Sequence, residues 1–294
     1  MFGLGIATTA ALRAQWRSWL APDLQPFFVR SLLDWPRATV PTLEMATEHR
    51  YTYRAWRVDR SLAILWLDEA TFMGMPRQQR AALVRAQVHS GRGAVPSIQR
   101  WSDLIDAETL RSQADGRRFV WWPSLLGTRE TEVLERVIAR APEGAAREAL
   151  PSRHAEVATA VWDGCAQLLP GARRLAGSFP ERGEPNCFST VMGAAGVCET
   201  VDECVDEVRF MTWLSATAEP GGRDGDAGTV LLWRDRSGAP VHAAVTLGGG
   251  WVVEKASAEW WTPRAVRASK DVIRATRSPG LCLERHRITH LAGR

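Results

Sequence analysis

The chain has 294 residues and a net charge of +4, with 45% hydrophobic and 24% charged residues. This is enough apolar material for one large core or two ordinary ones, while the small excess of charge, carried before residue 150 or so, leaves no concentrated footprint for nucleic acid. No run approaches the roughly 20 apolar residues that cross a bilayer, and five cysteines without regular spacing give neither a disulfide framework nor a CxxC metal pair.

The basic side chains are almost all arginine, Lys255 and Lys270 being the only lysines, a pattern read as composition bias without functional weight. Tryptophan far outnumbers tyrosine, 14 to 2, in both halves of the chain. Such side chains suit core packing or a groove for a bulky substrate. The opening "MFGLGIATTAALRAQW" lacks an early basic residue and so does not read as a signal peptide. Together with an odd cysteine count, this points to the cytoplasm.

In chain order, "TAALRAQWRSWL" predicts a helix. "YTYRAWRVDRSLAILWLDEATF" holds two β-rich runs around "VDRS" and predicts a hairpin with Ile64, Leu65 and Trp66 inside. Pro76 opens the helix "PRQQRAALVRAQVH", "RRFVWWPS" reads as a strand, and "TRETEVLERVIAR" as a helix with acidic residues in its first turn. A boundary is expected in "APEGAAREALPSRH", which is rich in alanine, proline and glycine.

The second half continues with a helix around "AEVATAVWDGCAQLL" and a turn-rich loop leading into "CFSTVMGAAG". Thr200 and Glu203 have capping-box spacing, so a helix is expected from Thr200 with Val201, Cys204, Val205 and Val208 on its apolar stripe. The pattern then turns to strands: "GTVLLWRD", "PVHAAVTL", "GWVVEKAS" and "GLCLERHRI". Cys165, Cys204 and Cys282 read as core. His286 and His290 are four apart, but strand-like flanks and the lack of an acid cluster argue against a metal.

Cys187 follows Pro185 and Asn186 at a helix start, with Asn186 a good N-cap. There the unpaired amides and the helix dipole favour a thiolate, and the Cys187 amide can contribute to an oxyanion hole that Asn186 supports. A thiolate nucleophile needs a base, and the base an orienting acceptor. His242 and Glu254 flank the turn Gly248, Gly249 and Gly250 at an even separation, which keeps them on one sheet face.

This order, a cysteine opening a helix, then a strand, a strand beginning with histidine, a glycine turn and a strand with a polar residue, resembles the NlpC-type branch of the papain-like cysteine peptidases and amidases. The resemblance spans roughly residues 180 to 260, with Asn186 standing where the family carries an aspartate. It implies Cys187 as nucleophile, His242 as base and Glu254 as orienting third member. It also implies an α+β fold: a C-terminal papain-like domain of helices and antiparallel sheet over 151–294, behind an N-terminal α+β region over 1–150.

The function expected is a thiol-dependent hydrolase or acyltransferase acting on a peptide-like or small-molecule amide or ester, without metal or cofactor. Trp260 and Trp261, in "EWWTPR", are candidates for a substrate wall or for core. The alternative is a non-catalytic α+β protein that binds or regulates a partner. Nucleic acid and membrane are not expected partners.

Overall fold

The computed structural model describes residues 4–32, 35, 44–113, 117–140, 151–183 and 185–289. The chain divides into two compact units, Thr9–Glu148 and Ala149–Arg294 together with Met1–Thr8. Both mix helices with antiparallel strands, so the fold is α+β. Most of the expected boundary segment lies outside the described residues.

In the unit Thr9–Glu148, α1 (Ala10–Leu20) starts where the Thr9 hydroxyl accepts from the Leu12 amide, and it buries Trp16, Trp19 and Leu20. β1 (Leu24–Val29) and β2 (Ala63–Asp68) form a two-stranded sheet with Phe27 opposite Leu65. Between them α2 (Thr47–Tyr53) ends at Arg54, whose φ of 51° is left-handed. The expected hairpin therefore does not form: its first half is helical, and β2 pairs with the strand that carries Phe27 and Phe28. Pro26 disguised that strand in the sequence, although an edge position tolerates it.

Asp68 caps α3 (Glu69–Met73), and Pro76 caps α4 (Arg77–His89), one position outside the helix it was expected to open. Short helices α5 (Ala107–Ser112) and α6 (Pro123–Leu126) precede α7 (Glu130–Arg140), whose first turn carries Glu130 and Glu132 as expected. "RRFVWWPS" is not a strand. It makes one isolated bridge, Arg118 to Ser97, and Phe119, Val120, Trp121 and Trp122 are all buried, without the alternation of a sheet surface.

The second unit opens with α8 (Thr159–Cys165), α9 (Ala172–Leu175) and α10 (Cys187–Ala194). Every residue of α10 is buried. It starts on a reciprocal capping box, the Asn186 side chain accepting from the Ser189 amide while the Ser189 hydroxyl accepts from the Asn186 amide, both at 2.9 Å. Its other end packs closely on the chain entering α9, where a Cβ on Gly171 would lie 2.1 Å from the Gly193 carbonyl oxygen.

The helix expected from Thr200 begins later, as α11 (Glu207–Thr217). The Thr200 hydroxyl donates to the Val197 carbonyl at 2.8 Å, closing a short turn, and the Asp206 carboxylate caps Arg209 instead. Val208 is then solvent-facing, and Cys204 is exposed in the loop rather than in the core; Cys282 is exposed as well, at a strand end, whereas Cys165 is buried.

Six strands form one antiparallel sheet in the order β3 (Ala218–Pro220), β8 (Cys282–Ile288), β4 (Ala227–Arg234), β5 (Pro240–Gly248), β6 (Trp251–Lys255), β7 (Arg264–Ala268). One face, with Val230, Leu232, Ala243, Val245, Val253 and Val266, packs under α8, α10 and α11. The other, with Leu231, Trp233, Ala244 and Val252, packs on Val272 of α12 (Ser269–Thr276). The free edge of β7 is covered by loops: Arg153 donates to the Val266 carbonyl, and Gly177 and Ser178 bond to Arg264.

β5 and β6 are joined by the glycine turn, with φ of +90°, +59° and +82° at Gly248, Gly249 and Gly250, a conformation side chains resist. An irregularity lies between the Thr246–Val252 and Gly248–Trp251 pairs, after which the register runs through Val245–Val253 to Ala244–Glu254. His242 and Glu254 consequently share the face of Ala244, in diagonal positions.

Candidate active site

Three neighbouring strands place polar side chains along one diagonal of the α12 face. His242 on β5 lies one step beyond the Ala244–Glu254 pair, and Arg267 on β7 one step beyond the Glu254–Ala265 pair, within reach of long side chains. His242 Nε2 meets Glu254 Oε2 at 3.0 Å, and Arg267 Nη1 donates to Glu254 Oε1 at 2.8 Å. Glu254 is only 1% exposed, so both of its oxygens need such partners. The Trp233 ring packs on His242 with centroids 5.2 Å apart.

At the head of α10, Cys187 lies near enough to the His242 ring for each to shift the other's ionisation, and the amides of Ala243 and Phe188 also act on the thiol. With Nε2 committed to Glu254, Nδ1 is the ring nitrogen left for the thiol. Cys187 and His242 are both buried, with 9% and 7% exposure, so most water is excluded from the pair. The structure thus pairs His242 with Glu254 on one sheet face and sets Cys187, from the helix packed on the other face, near His242.

Burial pushes the Cys187 thiol up, but the bond and charge of His242 and the two amides outweigh it, and the thiol ionises below its ordinary value. Burial pulls His242 down, yet Cys187 and Glu254 together raise it to about 9. Glu254 is pushed up by burial and held below the usual carboxylate range by His242 and Arg267. The directions all favour passage of the Cys187 proton to His242 beside an ionised Glu254.

Asn186 serves the helix rather than the oxyanion. Its Oδ1 caps Ser189, and its Nδ2 donates to the Val205 carbonyl at 2.7 Å and faces Cys204 Sγ at 3.5 Å, so both ends of the amide are occupied. The Cys187 amide, in the first turn, has no intrahelical acceptor.

Trp260 and Trp261 are 1% and 2% exposed and pack edge to face, centroids 5.1 Å apart. They belong to the core of the loop after β6, so of the two readings left open for them the burial favours core over a substrate wall. That loop is tied by Lys255, fully buried, whose Nζ donates to the carbonyls of Ser257 at 2.6 Å and Glu259 at 2.7 Å. Burial is the main cause that lowers Lys255 to about 7.

Lys255 and Arg267 are the two site residues that sequence reasoning missed. Lys255 carried a signal, since it is one of two lysines and adjoins Glu254. Arg267 carried one only through β7, which was not anticipated.

Among the described residues, no group of three or more His, Cys, Asp or Glu is placed to hold a metal ion. His286 Nε2 lies 3.3 Å from Glu284 Oε2, and His290 is outside the described residues. No described helix is long and apolar enough to cross a membrane. No family model, curated protein or solved structure matches the chain.

Proposed function

We propose that the protein is a thiol hydrolase or acyltransferase of papain-like, NlpC type, acting on an amide or ester bond of a peptide-like or small-molecule substrate. The observation that carries this reading is the buried His242–Glu254 pair at 3.0 Å, with Cys187 near enough to His242 for each to shift the other's ionisation. A nucleophile, a base and an acceptor on the far ring nitrogen are the parts acyl transfer requires. A reducing compartment such as the cytoplasm suits a free thiol of this kind.

In the reaction, the Cys187 proton passes to His242 and the thiolate attacks the carbonyl carbon. The oxygen takes the negative charge opposite the Cys187 amide. His242 returns the proton to the departing amine or alcohol as the C–N or C–O bond breaks, leaving a thioester. Water, or an acceptor amine, then gives a proton to His242 and attacks the thioester, and the sulfur leaves reprotonated.

The chain contains its own controls. Cys198, Cys204 and Cys282 are exposed thiols, whereas Cys187 is nearly buried. Iodoacetamide at pH 7, with site-resolved mass spectrometry, should alkylate Cys187 faster than any of them despite its burial. Labelling of Cys187 at or below their rate removes the catalytic reading and leaves a non-catalytic α+β protein.

A further inference from the structure

We propose that Arg267 is a positioning residue that supplies the second positive charge of an alternating four-member row, so that the buried carboxylate of Glu254 does not suppress ionisation of the Cys187–His242 pair. The inference rests on the catalytic reading and extends it to a residue on an adjacent strand.

The argument is one of charge balance in a desolvated place. Thiolate, imidazolium, carboxylate and guanidinium sum to zero: His242 meets Glu254 at 3.0 Å and Glu254 meets Arg267 at 2.8 Å, while Cys187 lies near enough to His242 for each to shift the other's ionisation. The side chain of Glu254 is 1% exposed and that of Arg267 12%, so water screens this pair weakly. Without Arg267 the row holds one net negative charge, which a buried site relieves by retaining a proton. The member able to take it at neutral pH is the thiolate.

The surrounding charges do not replace Arg267. On the other face of β6, Lys255 is engaged by two carbonyls and feels both Glu259 and the Cys187 charge. Arg264 on β7 bonds the Val201 carbonyl and lies 3.8 Å from Asp202. On α12, Asp271 pairs with Arg274 at 3.1 Å and Lys270 is exposed; on β4, Arg234 pairs with Glu284 at 2.8 Å. Among the described contacts, Glu254 has Arg267 as its one guanidinium partner.

The test measures Cys187 alkylation by iodoacetamide against pH in the full chain, for the wild type, R267Q, E254Q, the double variant and R267K. R267Q is expected to move the midpoint of thiolate formation up by about one unit or more, and E254Q to move it down. The double variant should return towards the wild type, and R267K should stay near it. Loss of packing alone does not give shifts of opposite sign that cancel.

An unmoved midpoint in R267Q, or a double variant no closer to the wild type than R267Q, overturns the proposal. Should R267Q fail to fold, the comparison moves to E254Q: adding R267Q must raise its midpoint, and no change refutes the role. Slow wild-type labelling at pH 7 is a separate result. It defeats the catalytic reading, while the sign of each midpoint shift is still measured.

Discussion

Two guanidinium groups in this protein, Arg92 buried and Arg267 half-buried, differ in what surrounds them. In the unit Thr9–Glu148, Arg92 donates Nε to the Pro26 carbonyl at 2.9 Å, Nη1 to the Gly93 carbonyl at 3.2 Å and Nη2 to Gln25 Oε1 at 3.1 Å. Its guanidinium carbon lies 4.2 Å from the Tyr53 ring centroid and 4.9 Å from that of Phe27. Gln25 reaches on to the Trp121 carbonyl, and Gln87 bonds both the amide and the carbonyl of Phe28.

Around Arg267 the neighbours are of another kind. Glu254, His242 and Cys187 each change charge by one proton within the accessible pH range, whereas the carbonyls, amides and ring faces around Arg92 do not. Burial raises the Tyr53 hydroxyl and takes it further from titration. Seclusion of a cation therefore does not mark a reactive site. A row of proton-exchanging partners beside a thiol is what the proposed chemistry requires.

The largest expected effect breaks this contrast at its reactive end. H242A should cut cleavage of an activated ester such as p-nitrophenyl acetate by roughly 10²–10⁴-fold, read from the acyl-enzyme burst, and slow Cys187 alkylation at pH 7 to the rate of Cys198. An undiminished burst would place the base elsewhere. At the other cluster, R92M should leave the Pro26 and Gly93 carbonyls and Gln25 Oε1 without their donor and cost on the order of 3 kcal/mol of stability. Denaturant titration of the full chain reads that loss, while Cys187 labelling should stay as in the wild type.

Next in size is the pH response. Ester cleavage should rise with formation of the thiolate below the ordinary thiol range and fall through about 9, where His242 loses the proton it must donate. E254Q should bring that upper limb down by roughly one to three units; a fixed limb would deny Glu254 its role. The same shift has a stability sign. Because folding raises His242, its contribution is fully present below about 6.5 and is lost as pH climbs through about 9.

The smallest effect tests the cap. N186A removes the acceptor for the Ser189 amide and should cost about 1 kcal/mol, seen as a lower thermal midpoint, with a modest slowing of Cys187 alkylation.

Much of the second unit was legible because its signals are local. β4, β5 and β6 are runs rich in β-branched and apolar residues, and Pro-Asn before Cys187 announces a helix start. The pairing of His242 with Glu254 followed from parity alone, since the irregularity near Gly248 leaves both on one face. What stayed hidden depends on distant partners. β7 reads "RAVRA", where arginines suggest solvent, yet Arg264 is buried against the Val201 carbonyl and Arg267, half-buried, bonds Glu254.

The first unit was harder to read for the same reason. β1 is joined to β2 across the helix α2, a long-range pairing that no turn signal announces. The capping spacing of Thr200 and Glu203 misled because a hydroxyl can bond backward to Val197 as readily as forward, and Asp206 offers a stronger cap.

The glycine turn between β5 and β6 makes base and acid products of one contiguous segment, which can zip up on the order of 1–10 μs. The sulfur, far upstream in the chain, joins them only through tertiary docking of its helix. A nascent or partly unravelled chain therefore carries an ordinary thiol, spared from the electrophiles that a finished molecule attracts, and a brief pulse of alkylating dye counts completed molecules rather than polypeptides.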